Sequence, residues 1–261
     1  MSFKINDLFS VAGKVVLVTG GSRGLGEMFA RAYVENGARV YISSRKAEAC
    51  EALARELSAH GTCLPLPADL SEMSEIERIA EELGKRETRL DVLVNNAGAS
   101  WGAPLESFPE SGWDKVMDLN VKSVFFTTQK LLPLLKAAAS EDNWARVINI
   151  GSIEGLHVSH DLDSPSYSAS KAAVIHLTRV LAHKMAASHI AVNAIAPGYF
   201  PSKMTAGIEA EFGDNIRAMT PMHRFGRATD MAGVALYLSS AASAYVTGAV
   251  IPVDGGLATT A

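Results

Sequence analysis

Lys14-Val-Val-Leu-Val-Thr-Gly-Gly-Ser-Arg-Gly-Leu-Gly26 decides the fold. A short β-branched run gives way to glycines, then to an amphipathic helical pattern over Leu25–Glu35 that Asn36-Gly37 ends. A strand apolar on both faces, feeding a glycine turn and a helix, is the opening unit of a parallel α/β sheet. The turn Thr19-Gly20-Gly21-Ser22-Arg23-Gly24-Leu25-Gly26 suits a phosphate. Its glycines allow close backbone approach to a pyrophosphate, and the helix N-terminus supplies free N–H groups and a favourable dipole. The spacing is Gly-x3-Gly-x-Gly, not the commoner Gly-x-Gly-x-x-Gly.

The same rhythm continues outward. Strands are expected at Lys14–Val18, Arg39–Ser43, Thr62–Pro67, Asp91–Val94, Ala145–Ile150, Ile190–Ile195 and Val250–Val253. Helices are expected at Ala47–Ala59, Glu72–Arg86, Trp113–Ala137, Pro165–Ala187 and Thr229–Ser239. This is a Rossmann-type, doubly wound parallel sheet of about seven strands with helices on both faces, one domain over residues 1–261. Pro197–Arg227 breaks the rhythm with turn residues and bulky apolar side chains, and is expected to act as a lid.

Composition fits one such domain. The chain has 261 residues, 48% of them hydrophobic, and a net charge of −4 with a pI of about 6.0. No basic block points to nucleic acid or an anionic membrane. No apolar run reaches transmembrane length, and the N-terminal residues lack a secretory h-region, so a cytoplasmic protein is expected. Cys50 and Cys63 have neither metal nor redox spacing and read as buried filler.

The end of the second strand selects the cofactor. An acid there would bond the ribose 2′-hydroxyl of NAD. Here Val40-Tyr-Ile-Ser-Ser-Arg-Lys46 has none. Ser44 and Arg45, with Arg23 from the neighbouring turn, are placed to hold a 2′-phosphate, which indicates NADP(H). Asp69-Leu70 follows the third strand, where the Asp either bonds the adenine amino group or belongs to the start of the next helix. Asn95-Asn96-Ala97-Gly98 follows the fourth strand. Its small residues leave room for the adenosine half, and its amides can tie strands together.

Tyr167 and Lys171 lie four residues apart in Ser166-Tyr-Ser-Ala-Ser-Lys171, so they share a helix face. A cation beside a phenol favours phenolate, and the Tyr167 pKa is expected to fall towards the range of a general acid/base.

These residues together resemble the compact, single-domain type of short-chain dehydrogenase/reductase, from about Lys14 to Gly256. The likeness rests on Thr19-Gly-x3-Gly-x-Gly26, Asn95-Asn-Ala-Gly98, Asn120, Ser152, Tyr167-x3-Lys171 and Pro197-Gly198. Among members, the chain is most similar to NADPH-dependent 3-oxoacyl reductases and their paralogues. The resemblance implies that Tyr167 exchanges the proton with the substrate oxygen and that Lys171 binds the nicotinamide ribose and lowers the Tyr167 pKa. It implies that Ser152 donates a hydrogen bond to the substrate oxygen and that Asn120 holds a water in a proton relay. Pro197, Gly198 and the residues through Ser202 would line the nicotinamide. One departure is the stretch between Ser152 and Tyr167. It is slightly longer than in the acyl reductases and carries His157, His160, Asp161 and Asp163, read as a solvated loop and not as a metal site.

Trp101, Trp113, His157, Tyr199, Phe200, Met204, Phe212, Met219 and Met222 flank candidate pocket segments. They suggest an apolar pocket, although each alone is more often packing. The substrate is expected to be a small-molecule ketone or secondary alcohol, apolar or acyl-type. The helices at Trp113–Ala137 and Pro165–Ala187 carry more apolar residues than one buried stripe requires, including Phe125, Phe126, Leu131 and Leu135, and burial within the monomer is one reading of the excess. The resemblance implies instead that these helices pair between subunits as a dimer or tetramer. The competing function is an inactive NADP(H)-binding regulatory or scaffold protein, which has no use for Asn120, Ser152, Tyr167 and Lys171.

Overall fold

Strand β1 (Val15–Thr19) is buried at every position, as its unbroken apolar run requires. The computed structural model describes residues 3–158, 163–202 and 205–260. After α1 (Ile5–Leu8) and β1 come α2 (Gly24–Glu35), β2 (Arg39–Ser43), α3 (Ala47–Leu57), β3 (Thr62–Pro65), α4 (Met73–Arg86) and β4 (Val92–Asn95). Next are α5 (Glu110–Met117), α6 (Ser123–Ala138), β5 (Ala145–Ile150), α7 (Pro165–Met185), β6 (Ile190–Pro197), α8 (Ala206–Met219), α9 (Ala228–Ser239), β7 (Val250–Val253) and α10 (Leu257–Thr260).

The strands form one parallel sheet in the order β3-β2-β1-β4-β5-β6-β7. The chain winds outward from β1 to β3, returns to β4 beside β1, and winds the other way. Ligands of such sheets bind at that reversal, outside the carboxyl ends of the strands. Thr19 and Asn95 end the two strands that meet there.

Successive side chains of a strand point to opposite faces, so each strand feeds two cores. Val16 and Val18 of β1 pack with Phe29 and Tyr33 of α2, Leu53 of α3, and Met231 and Leu238 of α9. Val15 and Leu17 pack with Ile76 and Ile79 of α4, Leu131 and Leu135 of α6, and Leu181 of α7. Each fully buried Leu or Phe contributes about 1.5–3 kcal/mol. Cys50 and Cys63 are free and buried.

Two expectations need correction. The single helix expected at Trp113–Ala137 begins earlier, at Glu110, and is interrupted by a π-helical turn, Asp118–Lys122. The buried Asn120 within it bonds both main-chain groups of Ala99, which fixes the helix at that point to the loop after β4. Pro197–Arg227, read as irregular, holds the 14-residue helix α8. Its Gly207 and Gly213 weaken the helical signal in the sequence. Among the described residues no helix is long and apolar enough to cross a membrane.

Candidate active site

The glycine turn is built by close approach. A Cβ on Gly26 would stand 2.1 Å from Gly20 O, and Gly20 and Gly24 adopt φ of +63° and +56°. Only glycine accepts those positions cheaply. Asn96 Nδ2 donates to Thr19 O at 2.9 Å and Gly20 O at 3.1 Å, and Ala97 N donates to Thr19 Oγ1 at 3.0 Å. Asn96 and Ala97 thus hold the turn from the neighbouring strand end. Ser22, Arg23 and Leu25 complete it, with Leu25 packed on the first core.

Arg23 and Arg45 are exposed, and neither forms an ion pair among the described residues. Ser44 Oγ donates to Lys46 O at 3.3 Å. A glycine cradle free of Cβ atoms, with the Arg23 guanidinium in its turn and the Ser44 hydroxyl and Arg45 guanidinium just past β2, fits a dinucleotide carrying a 2′-phosphate. Asp69 Oδ1 accepts from Ser71 N at 3.1 Å and Ser71 Oγ at 2.8 Å, so it shapes the turn before α4. The Leu70 side chain belongs to the second core, which leaves only its main chain for a ligand. Gly98 adjoins the catalytic candidates: a Cβ there would stand 3.3 Å from Asn120 Oδ1 and 3.7 Å from Lys171 Nζ.

Tyr167 and Lys171 share one face of α7, as their spacing dictates, and Lys171 Nζ lies 5.5 Å from the Tyr167 ring centre. Lys171 is buried and donates to Ile150 O at 2.7 Å. Burial lowers its pKa from 10.5 to about 8. The Tyr167 pKa is raised, chiefly by burial, with the Ser152 hydrogen bond opposing and the Glu154 and Tyr199 charges adding. The shift is therefore opposite to the expected lowering, because burial of the phenol outweighs the hydrogen bond with Ser152.

Ser152 caps the 3₁₀ turn Ile153–Gly155, its Oγ accepting from Glu154 N at 3.2 Å. Asn120 Nδ2 also donates to Ser170 Oγ at 2.9 Å, which couples the π-turn to α7. Beneath the site, Asn95 Nδ2 donates to Asn149 Oδ1 at 2.9 Å and Thr128 Oγ1 at 3.0 Å, and Asn149 Nδ2 donates to Thr178 Oγ1 at 2.9 Å. These amides tie strands and helices together, as expected of Asn95.

At the end of β6, Pro197 and Gly198 run beside β7, where a Cβ on Gly198 would meet Asp254 Cα at 2.8 Å. Ser202 pairs with Thr205 Oγ1 and lies against the glycine turn, 3.4 Å from a Cβ placed on Gly24. Asp254 accepts from Gly256 N at 2.9 Å and Ala258 N at 2.7 Å, turning the chain after β7.

The pocket candidates divide. Phe200 is 3% exposed and packs in the first core, while also lining a cavity with Tyr199 and Met222. Trp101 lies under Lys115 Nζ at 4.8 Å. Phe212, Met219 and Met222 are exposed. Met204, His160 and Asp161 lie outside the described residues. Among the described residues no group of three His, Cys, Asp or Glu could hold a metal ion. Glu154, on the turn after Ser152, is buried, which an acid in a loop does not signal in the sequence.

A family model described as enoyl-(acyl carrier protein) reductase matches residues 20–258. The chain is similar to the rhamnolipids biosynthesis 3-oxoacyl-(acyl-carrier-protein) reductase of Pseudomonas aeruginosa, 53% identical over 250 residues, which cover 95% of this chain and 97% of that protein. A solved Pseudomonas aeruginosa RhlG/NADP active-site complex superimposes with a TM-score of 0.93 at 52% identity, over 96% of this chain and 98% of that one. A gluconate 5-dehydrogenase of Burkholderia cenocepacia, solved with NADP and tartrate, has a TM-score of 0.91 at 31% identity, over 99% and 100% of the two chains.

Proposed function

This chain belongs to the short-chain dehydrogenase/reductase family, and on that premise we propose that it reduces an apolar or acyl-type ketone, in the manner of 3-oxoacyl reductases, with Tyr167 as the proton donor. It is an NADP(H)-dependent oxidoreductase acting on a ketone or secondary alcohol. The observation that carries the assignment of roles is the convergence of Ser152, Tyr167 and Lys171 at the carboxyl end of β5, beside the glycine cradle.

When bound, the cofactor supplies or takes the hydride. The chain does the rest. Gly20, Ser22, Gly24, Leu25 and Gly26 present main chain to the pyrophosphate, and Arg23, Ser44 and Arg45 take the 2′-phosphate. Asp69, the main chain of Leu70, and Asn96 to Gly98 surround the adenosine half. Lys171 binds the nicotinamide ribose, and Pro197, Gly198 and Ser202 flank the nicotinamide. Ser152 Oγ donates to the substrate oxygen, where negative charge grows in the transition state. Tyr167 Oη gives up its proton to that oxygen, and Lys171, beside it, stabilises the phenolate left behind. Asn120 keeps Ala99 and Ser170 in place and supports the relay that returns the proton.

We read residues 1–261 as one domain in which residues 197–227, α8 included, form a substrate-side lid. The apolar groove of Met117, Val121, Phe125, Phe126 and Leu177, on α5, the π-turn, α6 and α7, supports a homo-oligomer, a dimer or a homotetramer built on it. A cytoplasmic location is part of the same proposal.

Titration calorimetry with NADPH and NADH, followed by NADPH oxidation against 3-oxoacyl thioesters, cyclic ketones and aromatic diketones, tests the whole reading. NADPH-selective binding with turnover of an acyl or apolar ketone is expected. Tyr167→Phe is expected to lower turnover by at least about a thousandfold while NADPH still binds. Near-normal turnover in that variant refutes the role of Tyr167.

A further inference from the structure

A cavity of about 360 Å³ opens beside the carboxyl ends of β6 and β7. Tyr199, Phe200, Met222, Pro252 and Val253 form its apolar walls, and Gly226, Gly255 and Gly256 add main chain without Cβ atoms. Ser152, Tyr167 and Lys171 are not among the described residues that line it. It shares a wall with the cofactor side all the same. Gly198 and Ser202 bracket the segment that supplies Tyr199 and Phe200. A Cβ on Gly198 would stand 2.8 Å from Cα of Asp254, itself a lining residue. At the other end of the segment, Ser202 Cβ lies 3.4 Å from a Cβ placed on Gly24. One short stretch of chain therefore separates the cavity from the proposed nicotinamide site.

The charged groups on the wall are already engaged. Arg224 bonds both Asp230 oxygens, at 2.5 and 3.1 Å, and Asp230 Oδ2 also accepts from Arg227 N at 2.8 Å. The two Asp254 oxygens accept from Gly256 N and Ala258 N. A charged ligand would have to break into these pairs, whereas a neutral alkyl chain gains simply by leaving water. The walls are held in place by main chain. Met222 N donates to Gly255 O at 3.1 Å, and Gly226 N to Tyr199 O at 2.9 Å. Met222 is 64% exposed and Met219, three residues earlier, 61%, so the approach is apolar as well. The volume lies at the lower end of the range of small-molecule sites, about 300–1,000 Å³. We propose that this cavity takes the distal carbons of the substrate's acyl chain, and that Met222 sets which chain length is preferred. This rests on the reading of the chain as a reductase of acyl-type ketones. The reacting carbonyl then stands at Ser152 and Tyr167, and the chain beyond it passes Tyr199 into the cavity.

The test is a chain-length series. NADPH oxidation is followed with the N-acetylcysteamine thioesters of 3-oxobutanoate, 3-oxohexanoate, 3-oxooctanoate and 3-oxodecanoate. Once the chain reaches the cavity, kcat/KM is expected to rise about fourfold per added methylene. Met222→Trp fills the cavity and is expected to cut the ratio of 3-oxodecanoyl to 3-oxobutanoyl kcat/KM by at least about tenfold. Met222→Leu, of similar volume, is expected to keep the ratio, and Met222→Phe replaces the Trp variant if that one does not fold. A flat series in the wild type overturns the proposal, and so does a chain preference that survives in the Trp or Phe variant. Calorimetry of the full chain loaded with NADPH, using decanoyl- and butanoyl-N-acetylcysteamine, reads the cavity without turnover because neither carries a ketone. Tighter decanoyl binding in a protein that reduces no ketone sinks the assigned reaction and leaves the cavity standing. Ketone turnover with a flat series does the reverse. If n-octanol binds without displacing the decanoyl thioester, the cavity is a separate effector site. If Met222→Trp alters the native mass beside a flat series, a second copy of the chain fills it. Either result overturns the assignment to the substrate chain.

Discussion

Lys171→Met is expected to make the ligand-free protein more stable at neutral pH. The lysine is buried, and its pKa falls from 10.5 to about 8 through desolvation. That fall corresponds to about 3 kcal/mol of cost for keeping the ammonium inside. Met has a similar length and no charge, so most of the cost disappears. Against this, Ile150 O loses the 2.7 Å hydrogen bond from Nζ, a loss of about 1 kcal/mol. The net gain is about 2 kcal/mol, or roughly 4–8 °C in Tm for a domain of this size. The pH dependence gives the sharper check. Below pH 8 both folded and unfolded lysine are charged, and the cost is complete. Between about 8 and 10.5 the unfolded chain still holds a proton that the folded chain has released, so wild-type stability climbs with pH. The advantage of Lys171→Met therefore shrinks across that window at about 1.4 kcal/mol per pH unit. Urea denaturation of both proteins at pH 7, 8.5 and 9.5 measures it. A variant that is less stable at pH 7, or a difference that does not change with pH, refutes the reasoning.

Arg45→Ala should weaken NADPH binding by roughly ten- to hundredfold through a lost charge-assisted contact and leave NADH nearly unchanged. Equal calorimetric losses would mean that Arg45 does not see the 2′-phosphate. Gly26→Ala places a methyl 2.1 Å from Gly20 O, so the turn must open. Cofactor affinity should collapse and Tm should drop, whereas normal binding would show that the turn gives way freely. Phe125 stacks edge-on with Phe126 at 5.1 Å on the exposed groove. Phe125→Asp should reduce the native mass in light scattering, and an unchanged mass would assign the groove to something other than self-association.

The sheet was legible because parallel strands are apolar on both faces and helices separate them. Arg39–Ser43, Ala145–Ile150 and Val250–Val253 have the boundaries that the pattern predicts. The π-turn at Asp118–Lys122 was not legible. One extra residue in a helical turn leaves the run of apolar and polar types looking continuous, and only the backbone path reveals it. The spacing of Tyr167 and Lys171 correctly put them on one face. It could not show how deeply they sink, so the direction of the Tyr167 shift came out reversed. Burial there depends on Ile150, Ser152 and Gly155, brought in by β5 from outside the helix. Nothing in the sequence beside Asp69 shows that the Leu70 side chain belongs to the second core, because that depends on which helices cover the sheet there.

The chain of amides from Asn95 through Asn149 to Thr178 has a consequence for how the sheet assembles. Asn95 and Asn149 are directly paired in register. A slip of β5 by one residue would swing Asn149 to the opposite face and strand its partners in a dry interior. Each buried polar group left alone costs about 1–3 kcal/mol. The same bonds add far less when they are correctly made. The polar spine therefore acts mainly as a proofreader, rejecting misaligned chains that apolar strands alone would tolerate.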